Sequence, residues 1–400
     1  MKRPRPSLPL AAVAVPTVAV LTVAVLTGGV LLTGCARGEK HEDPTAEPGT
    51  EARAGSGPLS LQRAWRWVAP APSYVGMPGS DAAGTAVTYG HSHVLLLGRA
   101  GEVRWTADRL RLRDVAPRLT PDAVLVPSEE GLVAFDRGTG AVRWEARLGE
   151  RANTPVVAGG RVVLTTWEGS LVGLDPADGR VAWRLRLPGP ALGPAAANAD
   201  VAVASWAVEP RGGAGMVAAH PTTGRERWAV PLPPGGLSAP GLVAVPGGGP
   251  PLAVVVAADL AAHALATDSG RERWRAPLEG AGSPEVAPLD AGGGRVLAAH
   301  RLGGMVLLDA VGKPQWRASS DGAAVRGGPA GPGLGGRFAL PLHDGRLVVA
   351  GPPRDGDGNG DGEVLDPPGR VSGVATGPGG ELLVSLREAP ENDLSALSGW

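Results

Sequence analysis

A unit of about forty residues that ends in a tryptophan recurs along most of this 400-residue chain. The clearest copy spans residues 161–187, RVVLTTWEGSLVGLDPADGRVAWRLRL. Two apolar, β-branched runs flank a Glu-Gly turn, and a third run alternates apolar and polar residues after Asp-Pro-Ala-Asp-Gly. Such alternation is typical of half-buried strands, and Gly and Asp favour tight turns. The unit therefore predicts short antiparallel strands.

The spacing of the copies limits the fold further. The closing tryptophans lie 39 to 46 residues apart, at Trp105, Trp144, Trp183, Trp228, Trp274 and Trp316. A period of this length, with four strands and one aromatic residue per unit, is typical of a β-propeller. No continuous apolar stripe of helical spacing occurs after residue 35, which argues against stacked helix pairs. We therefore expect an all-β propeller over residues 59–400.

The two ends of this region predict how the ring closes. Ala64-Trp65-Arg66-Trp67 resembles an outermost strand without inner strands before it. The last runs, 371–375, 381–386 and 393–400, supply three strands without a fourth. If the N-terminal strand completes this last sheet, the propeller has eight blades. Seven blades is the alternative, because the last 60 residues are the least regular.

The N-terminal segment has the composition of a targeting signal. Basic residues among the first five are followed by an apolar run over residues 8–32, which ends in Leu-Thr-Gly-Cys35. This ending resembles the bacterial lipobox, in which the signal is removed and the cysteine is lipidated. The alternative is a plain transmembrane anchor, since the run is long enough to span a bilayer. We expect a signal peptide over residues 1–35, a lipidated Cys35 and a flexible linker over residues 36–58.

Charge and cysteine content exclude other classes. The chain has 38 basic and 39 acidic residues, a formal net charge of −1, so we expect no nucleic-acid partner. Cys35 is the only cysteine, and a lipidated protein would therefore have no disulfide. We expect the propeller to lie outside the cytoplasm, lipid-anchored to the cell membrane or to an outer membrane.

The turn before each closing tryptophan carries a family resemblance. The pattern Asp136-x-x-x-Gly140-x-x-x-Trp144 recurs as Asp175-x-x-x-Gly179-x-x-x-Trp183. It resembles the repeat of pyrroloquinoline-quinone-type propellers, in which the tryptophan docks against the neighbouring blade. A lipidated, eight-bladed, single-domain member is similar to the propeller lipoprotein of the outer-membrane β-barrel assembly machinery. The resemblance implies a non-catalytic scaffold that acts through protein contacts.

Catalysis is the main alternative. Quinone-dependent dehydrogenases of this superfamily hold the quinone over adjacent cysteines, and this chain has no cysteine after Cys35. We therefore expect no quinone and no enzymatic activity. The chain lacks Gly-x-Ser-x-Gly and His-Glu-x-x-His motifs, and its seven histidines are scattered, as is typical of surface residues. The competing hypothesis is a cell-envelope enzyme or ligand sensor whose site lies at the mouth of the central channel.

One acidic loop has the pattern of a calcium site. Oxygen donors alternate with glycines at Asp355, Asp357, Asn359, Asp361 and Glu363, and Asp366 follows. Alternating acceptors with a glycine at the bend can wrap a hard cation. The loop is similar to calcium loops of integrin-type propeller blades, although an acidic, solvated turn is the alternative. A structural Ca²⁺ would stiffen a blade that lacks a closing tryptophan.

Calcium is expected to raise the melting temperature of the protein. The double substitution Asp355→Ala with Asp357→Ala should remove this increase, because it deletes two ligands from the loop. Thermal unfolding with added calcium and with chelator measures both effects. Equal melting temperatures of the unsubstituted protein in the two conditions would exclude the site.

Large side chains at turn tips predict a binding face. Alignment of the repeats places Trp167, Trp206, Arg301 and His343 at one position, the tip between the second and third strands. These tips share one face of a propeller with the connections between blades. Exposed aromatic residues are unusual unless a partner covers them, although each could instead pack against its own neighbouring loop. We expect this face to bind a protein or a cell-envelope glycan.

Overall fold

The computed structural model describes residues 62–70, 73–208, 212–278, 287–299, 304–319, 330–334, 336–342, 344–351, 362–365, 370–387 and 393–398. The chain divides into two compact units, Met1–Ala54 and Gly55–Trp400, and every described residue belongs to the second. The predicted signal peptide, Cys35 and the linker lie outside these ranges. Within the ranges, the regular elements are strands, and no helix is long and apolar enough to cross a bilayer.

The described residues form thirty-two strands in eight four-stranded antiparallel sheets, which we call blades 1 to 8. The first strand, β1 (Gln62–Val68), belongs to blade 8. Blades 1 to 4 follow in chain order: β2 (Gly79–Asp81), β3 (Gly84–Tyr89), β4 (His93–Leu97), β5 (Val103–Asp108); β6 (Arg118–Leu119), β7 (Ala123–Ser128), β8 (Gly131–Asp136), β9 (Val142–Arg147); β10 (Val156–Ala158), β11 (Arg161–Thr165), β12 (Ser170–Leu174), β13 (Val181–Arg186); β14 (Ala196–Ala197), β15 (Ala202–Ala207), β16 (Ala214–Ala219), β17 (Glu226–Leu232).

Blades 5 to 7 repeat this order, and blade 8 takes β1 as its fourth strand. Their strands are β18 (Gly241–Val243), β19 (Leu252–Val256), β20 (Ala261–Ala266), β21 (Glu272–Pro277); β22 (Leu289–Gly292), β23 (Arg295–Ala299), β24 (Gly304–Leu308), β25 (Pro314–Ser319); β26 (Ala330–Leu334), β27 (Arg337–Pro341), β28 (Leu347–Ala350), β29 (Gly362–Leu365); β30 (Arg370–Thr376), β31 (Leu382–Arg387), β32 (Asp393–Ser398).

The ring closes as the sequence predicts. β1 pairs antiparallel with β32, so that Trp65 lies opposite Ala396 and Trp67 lies opposite Leu394. The innermost strands of blades 8 and 1, β30 and β2, also contact each other. The prediction of eight blades is confirmed, and the alternative of seven is wrong.

Hydrophobic packing is divided among the seams between blades. Eight buried clusters exist in the described residues, and each combines side chains from two adjacent blades. Within β11, Val162 and Leu164 pack toward blade 2, whereas Val163 packs toward blade 4. A middle strand therefore buries both of its faces. This explains why β11 and β12 are continuous apolar runs while the outer strand β13 alternates.

The closing tryptophans of blades 1 to 5 join each of these blades to the next. The indole Nε1 of Trp183 donates to the Pro221 carbonyl of blade 4 at 2.8 Å, and its ring lies on Gly224. A Cβ on Gly224 would approach the ring within 2.5 Å, and the residue has φ +70°, so glycine is required there. The same donation, at 2.8 to 3.0 Å, is made by Trp105, Trp144, Trp228 and Trp274. The docking implied by the resemblance is thus present.

The aspartate that opens these turns holds them in shape. Asp136 Oδ1 accepts hydrogen bonds from the Gly138 amide, the Thr139 amide and the Thr139 hydroxyl. The hydrogen bond from the Thr139 hydroxyl is the main reason why the pKa of Asp136 lies below its ordinary value. The turn therefore presents a fixed carbonyl and glycine to the indole of the preceding blade.

An ion pair adds to the seam between blades 1 and 2. The Arg137 guanidinium donates to both carboxylate oxygens of Asp81, at 2.6 and 2.7 Å, and to the Thr120 carbonyl at 2.5 Å. Its side chain is largely buried. The hydrogen bond from Arg137 lowers the pKa of Asp81 below its ordinary value of 3.8.

Asp81 should make the stability of the ring depend on pH. Because the folded-state pKa is lowered, the contribution is present above the unfolded value and is lost as the pH falls through the folded value. The Tm difference between the unsubstituted protein and Asp81→Asn should be constant above about pH 5 and should shrink below about pH 4. Asp178→Asn is the control, since Asp178 pairs only with the highly exposed Arg180. An equal pH dependence for both substitutions would contradict this role.

Candidate functional site

One face of the propeller is formed by the connections between blades and by the tips between second and third strands. In the connections that lead into blades 1 to 5, one residue bridges the end of a second strand, as in Leu112 with Ser128 and Ala152 with Thr166. The same bridge occurs at Ala191 with Trp206 and at Leu237 with Ala257. The connections and the tips therefore lie side by side. We call this surface the tip face.

Trp167 is the large aromatic residue that stands out on the tip face. It follows β11 at the turn, its amide donates to the Arg151 carbonyl at 3.0 Å, and 47% of the residue is exposed. The guanidinium carbons of Arg113 and Arg151 lie 5.2 and 5.0 Å from the centroid of its ring. Both distances fit cation–π contact, which orients the ring without covering it.

Arg113 reaches Trp167 from the connection between blades 1 and 2. Its side chain is 11% exposed, and Glu129 is 4.0 Å away at the limit of an ion pair. The Nε atom is buried and has no hydrogen-bond partner among the described residues. Burial lowers the pKa of Arg113. Packing, more than hydrogen bonding, therefore holds the Arg113 guanidinium against the indole.

Arg151 is fixed by the residue next to Trp167. Its Nε donates to Glu168 Oε1 at 2.8 Å, and its backbone amide donates to Glu168 Oε2 at 2.9 Å. Partial burial acts to raise the pKa of Glu168, but the hydrogen bonds from Arg151 outweigh it and lower the pKa. Glu168 therefore stays ionised and keeps Arg151 beside the ring.

The surroundings of Trp167 are charged but nearly neutral in sum. Arg109 pairs with Glu145, and Arg111 pairs with Glu130. Glu150 pairs with two arginines of β13, Arg184 and Arg186, each at 3.2 Å. Because positive and negative side chains are paired here, the surface has no electrostatic field of a single sign. A partner would therefore be recognised by contact with the indole more than by long-range electrostatic attraction.

The structure corrects the alignment of Trp206 with Trp167. Gly173 pairs with Trp183 in blade 3, and Ala218 pairs with Trp228 at the same position of blade 4. When the two blades are aligned on these pairs, Trp206 corresponds to Thr166, the residue before Trp167. A one-residue shift along a strand directs the side chain to the other side. Trp206 is accordingly half-buried and packs against the cluster between blades 3 and 4.

Of the remaining site residues predicted from the sequence, one, Glu363, lies within the described ranges. Glu363 is half-buried on β29. The residues that lie outside the described ranges are Cys35, Arg301, His343, Asp355, Asp357, Asn359, Asp361 and Asp366. Within the described ranges, no group of three or more His, Cys, Asp and Glu side chains is placed to hold a metal ion.

His263 is a residue whose environment the sequence interpretation missed. It lies on β20, is 4% exposed, and occupies the position that is Val172 in blade 3. Its Nδ1 lies 2.7 Å from Glu272 Oε1, and its Nε2 lies 3.1 Å from Asp259 Oδ1. The expectation of an ordinary surface histidine is therefore wrong. The apolar run of β20 predicts a buried position, but Glu272 meets the ring only through the pairing of β20 with β21, and Asp259 meets it from the turn before β20.

The comparisons place this architecture among known propellers. The sequence profile described as outer membrane protein assembly factor BamB matches residues 90–239 and 215–376. No curated protein matches the chain at a significant level. The structure is similar to BamB from Moraxella catarrhalis, with a TM-score of 0.60 and 14% identity over 85% of this chain and 98% of that one.

Propellers of other descriptions share the fold. The C-terminal WD40 domain of Sif2 has a TM-score of 0.63 and 11% identity, over 86% of this chain and 99% of that one. The quinohemoprotein alcohol dehydrogenase from Comamonas testosteroni has a TM-score of 0.61 and 14% identity, over 84% and 76%. At these identities the likeness concerns the fold alone. The sequence profile, in contrast, covers most of the propeller, and the chain therefore belongs to the BamB family of PQQ-like repeat propellers.

Proposed function

We propose that this protein is a non-catalytic scaffold, lipid-anchored at Cys35 outside the cytoplasm, which binds a protein partner through the tip face around Trp167. Membership of a family described as an assembly factor supports a role in protein contacts. The lipobox-like ending at Cys35 supports the anchor. The observation that carries the binding face is the half-exposed indole of Trp167 in cation–π contact with two guanidinium groups.

The chemistry of this site favours a protein partner. Tryptophan and arginine are the residues most enriched among energetic hot spots of protein interfaces. Here both types are combined, and Glu168 and burial fix them in advance, so less conformational entropy is lost on binding. Trp206, in contrast, contributes mainly to packing and is not proposed as an anchor.

Site-specific photo-crosslinking in intact membranes tests the proposal. A photoreactive phenylalanine analogue at Leu110, an exposed residue of the blade 1–2 connection, should give a discrete crosslinked band. When Trp167→Ala is combined with the analogue at Leu110, the yield of the crosslinked band should fall by about tenfold or more at partner concentrations below saturation. The reason is that loss of a hot spot costs about 2 kcal/mol of binding free energy. A matched double variant with Trp206→Ala should keep most of the yield.

The opposite face supplies the spatial control. The analogue at Ala177, in the turn after β12, should give no such band, because this turn lies at the other end of the strands. Equal bands from Leu110 and Ala177, or a Leu110 band that Trp167→Ala leaves unchanged, would contradict the tip face as the binding site.

The enzymatic alternative rests on the shared fold of the alcohol dehydrogenase. The sequence argues against a quinone-dependent reaction, because no cysteine follows Cys35 to form the adjacent pair. Alcohol or sugar oxidation by the purified protein with added quinone would overturn the scaffold proposal.

A further inference from the structure

The turn that receives Trp274 is shorter than the turns that receive Trp105, Trp144, Trp183 and Trp228. Among the described turns that receive a tryptophan, only the turn from Gly98 to Gly101, which receives Trp65, is equally short. In blade 3 the turn runs from Asp175 to Gly179, and the glycine amide donates to the Asp175 carbonyl at 2.9 Å. Blades 2, 4 and 5 use the same five-residue turn. In blade 6 the turn runs from Asp309 to Gly312, and the glycine amide donates to a carbonyl only three residues back, at 3.0 Å.

At the same seam, the loop between the two inner strands of blade 5 also differs from the loops at this position in the other blades. Residues 244–251, Ala-Val-Pro-Gly-Gly-Gly-Pro-Pro, separate β18 from β19. Between blades 3 and 4 the corresponding position is closed, because the Thr222 hydroxyl donates to the Gly159 carbonyl at 2.7 Å. A Cβ placed on Gly247 or Gly248 would meet nothing within 4 Å.

These two departures leave a cavity of about 410 Å³ between blades 5 and 6, at the end of the strands opposite the tip face. Trp274 is half-exposed in it, whereas Trp183 and Trp228 are buried at their seams. Val311, 73% exposed, flanks the opening. The lining is mostly apolar and includes Val245, Pro250, Leu252, Trp274 and Val311.

Arg273 is the charged residue of this lining. In the part of the chain that the structure describes, it makes no ion pair and no side-chain hydrogen bond, unlike Arg275, which donates to Asp259 at 2.6 Å. A concave, apolar pocket with few polar groups is the usual form of a small-molecule site, and volumes of about 300–1,000 Å³ are typical. An unpaired guanidinium at its edge selects an anionic head group.

We propose that this cavity binds a small amphiphilic anion, with its apolar body against Trp274 and the valines and its carboxylate at Arg273. At the four seams with five-residue turns, the indoles of Trp105, Trp144, Trp183 and Trp228 are buried. The site is independent of the tip face.

Photoaffinity labelling of the full chain in membranes tests the site. A decanoic acid that carries a diazirine should label peptides around Trp274 and Val311, and excess decanoate should suppress the labelling. Arg273→Gln should reduce labelling at limiting probe by about tenfold. Arg227→Gln is the matched control, because Arg227 precedes Trp228 at the equivalent position and is exposed, and it should leave labelling unchanged.

A second variant tests the geometry of the cavity. Replacing the four residues Asp309 to Gly312 with Asp-Pro-Ala-Asp-Gly restores the turn of blade 3 and should abolish labelling at this seam without lowering the Tm. Labelling of this variant at the original level, equal labelling at several seams, or equal labelling by the corresponding diazirine alcohol would overturn the proposal. Absence of labelling in the unsubstituted protein would also overturn it.

Discussion

Trp183→Ala is expected to lower the free energy of unfolding by about 3–5 kcal/mol, the range measured for buried tryptophan truncations. The substitution removes a 9%-exposed indole from the seam between blades 3 and 4 and leaves the Pro221 carbonyl without its donor. It also opens space above Gly224, where the ring is packed within contact distance. The loss is a large fraction of the stability of a typical domain. Denaturant and thermal unfolding measure it.

Graded substitutions separate packing from hydrogen bonding. Trp183→Phe keeps much of the buried area and should cost about 1 kcal/mol for the lost hydrogen bond, plus a smaller packing term. Trp274→Ala should cost less than Trp183→Ala, because Trp274 is already half-exposed. Trp167→Ala should change stability little, since its ring lies on the surface. If all four variants have equal stability, the seams do not depend on the indoles.

Removal of β1 is expected to prevent the ring from closing. A chain that begins at Ala69 lacks the strand that pairs with β32 and both tryptophans that pack between blades 8 and 1. Each buried aromatic side chain covers about 150–250 Å², so even half-burial of two indoles contributes on the order of 5 kcal/mol. The deletion also leaves β32 as an unpaired edge that can pair with other chains. Aggregates or a much lower Tm are the expected results.

Two controls keep this prediction specific to β1. A chain that begins at Gly55 retains β1 and should unfold at the temperature of the full protein. Addition of a synthetic peptide that spans β1 to the shortened chain should restore a higher Tm, and the same peptide with Trp65→Ala and Trp67→Ala should not. If the chain that begins at Ala69 is monomeric and as stable as the chain that begins at Gly55, β1 does not close the ring.

Much of the fold could be predicted from the sequence because the repeat imposes the same physical demands in each blade. Middle strands bury both faces, and this gives continuous apolar runs such as β11 and β12. The indole of Trp183 requires a glycine and a carbonyl at fixed positions in the next turn. These demands recur at a constant spacing, so the number of blades and the closing strand follow from the pattern.

The candidate site was less predictable, because it depends on where the repeat varies. The loop before β12 has four residues and the loop before β16 has six. An alignment of the sequences of blades 3 and 4 through these unequal loops therefore matches Trp206 with Trp167 instead of with Thr166. The cation–π contact of Trp167 joins Arg113 from one connection with Arg151 from the next. His263 meets Glu272 through the pairing of β20 with β21. Such contacts are set by three-dimensional proximity, which no local pattern encodes.

The pairing of β1 with β32 also constrains when the protein can mature. Synthesis produces β1 before every other strand of the ring and β32 after all of them, so a nascent chain that lacks β32 cannot complete blade 8. Contacts between such distant parts of a chain form slowly. The nascent polypeptide must therefore keep the free edge of β1 from pairing with other molecules until β32 is made, and a chain without β32 would stay permanently open.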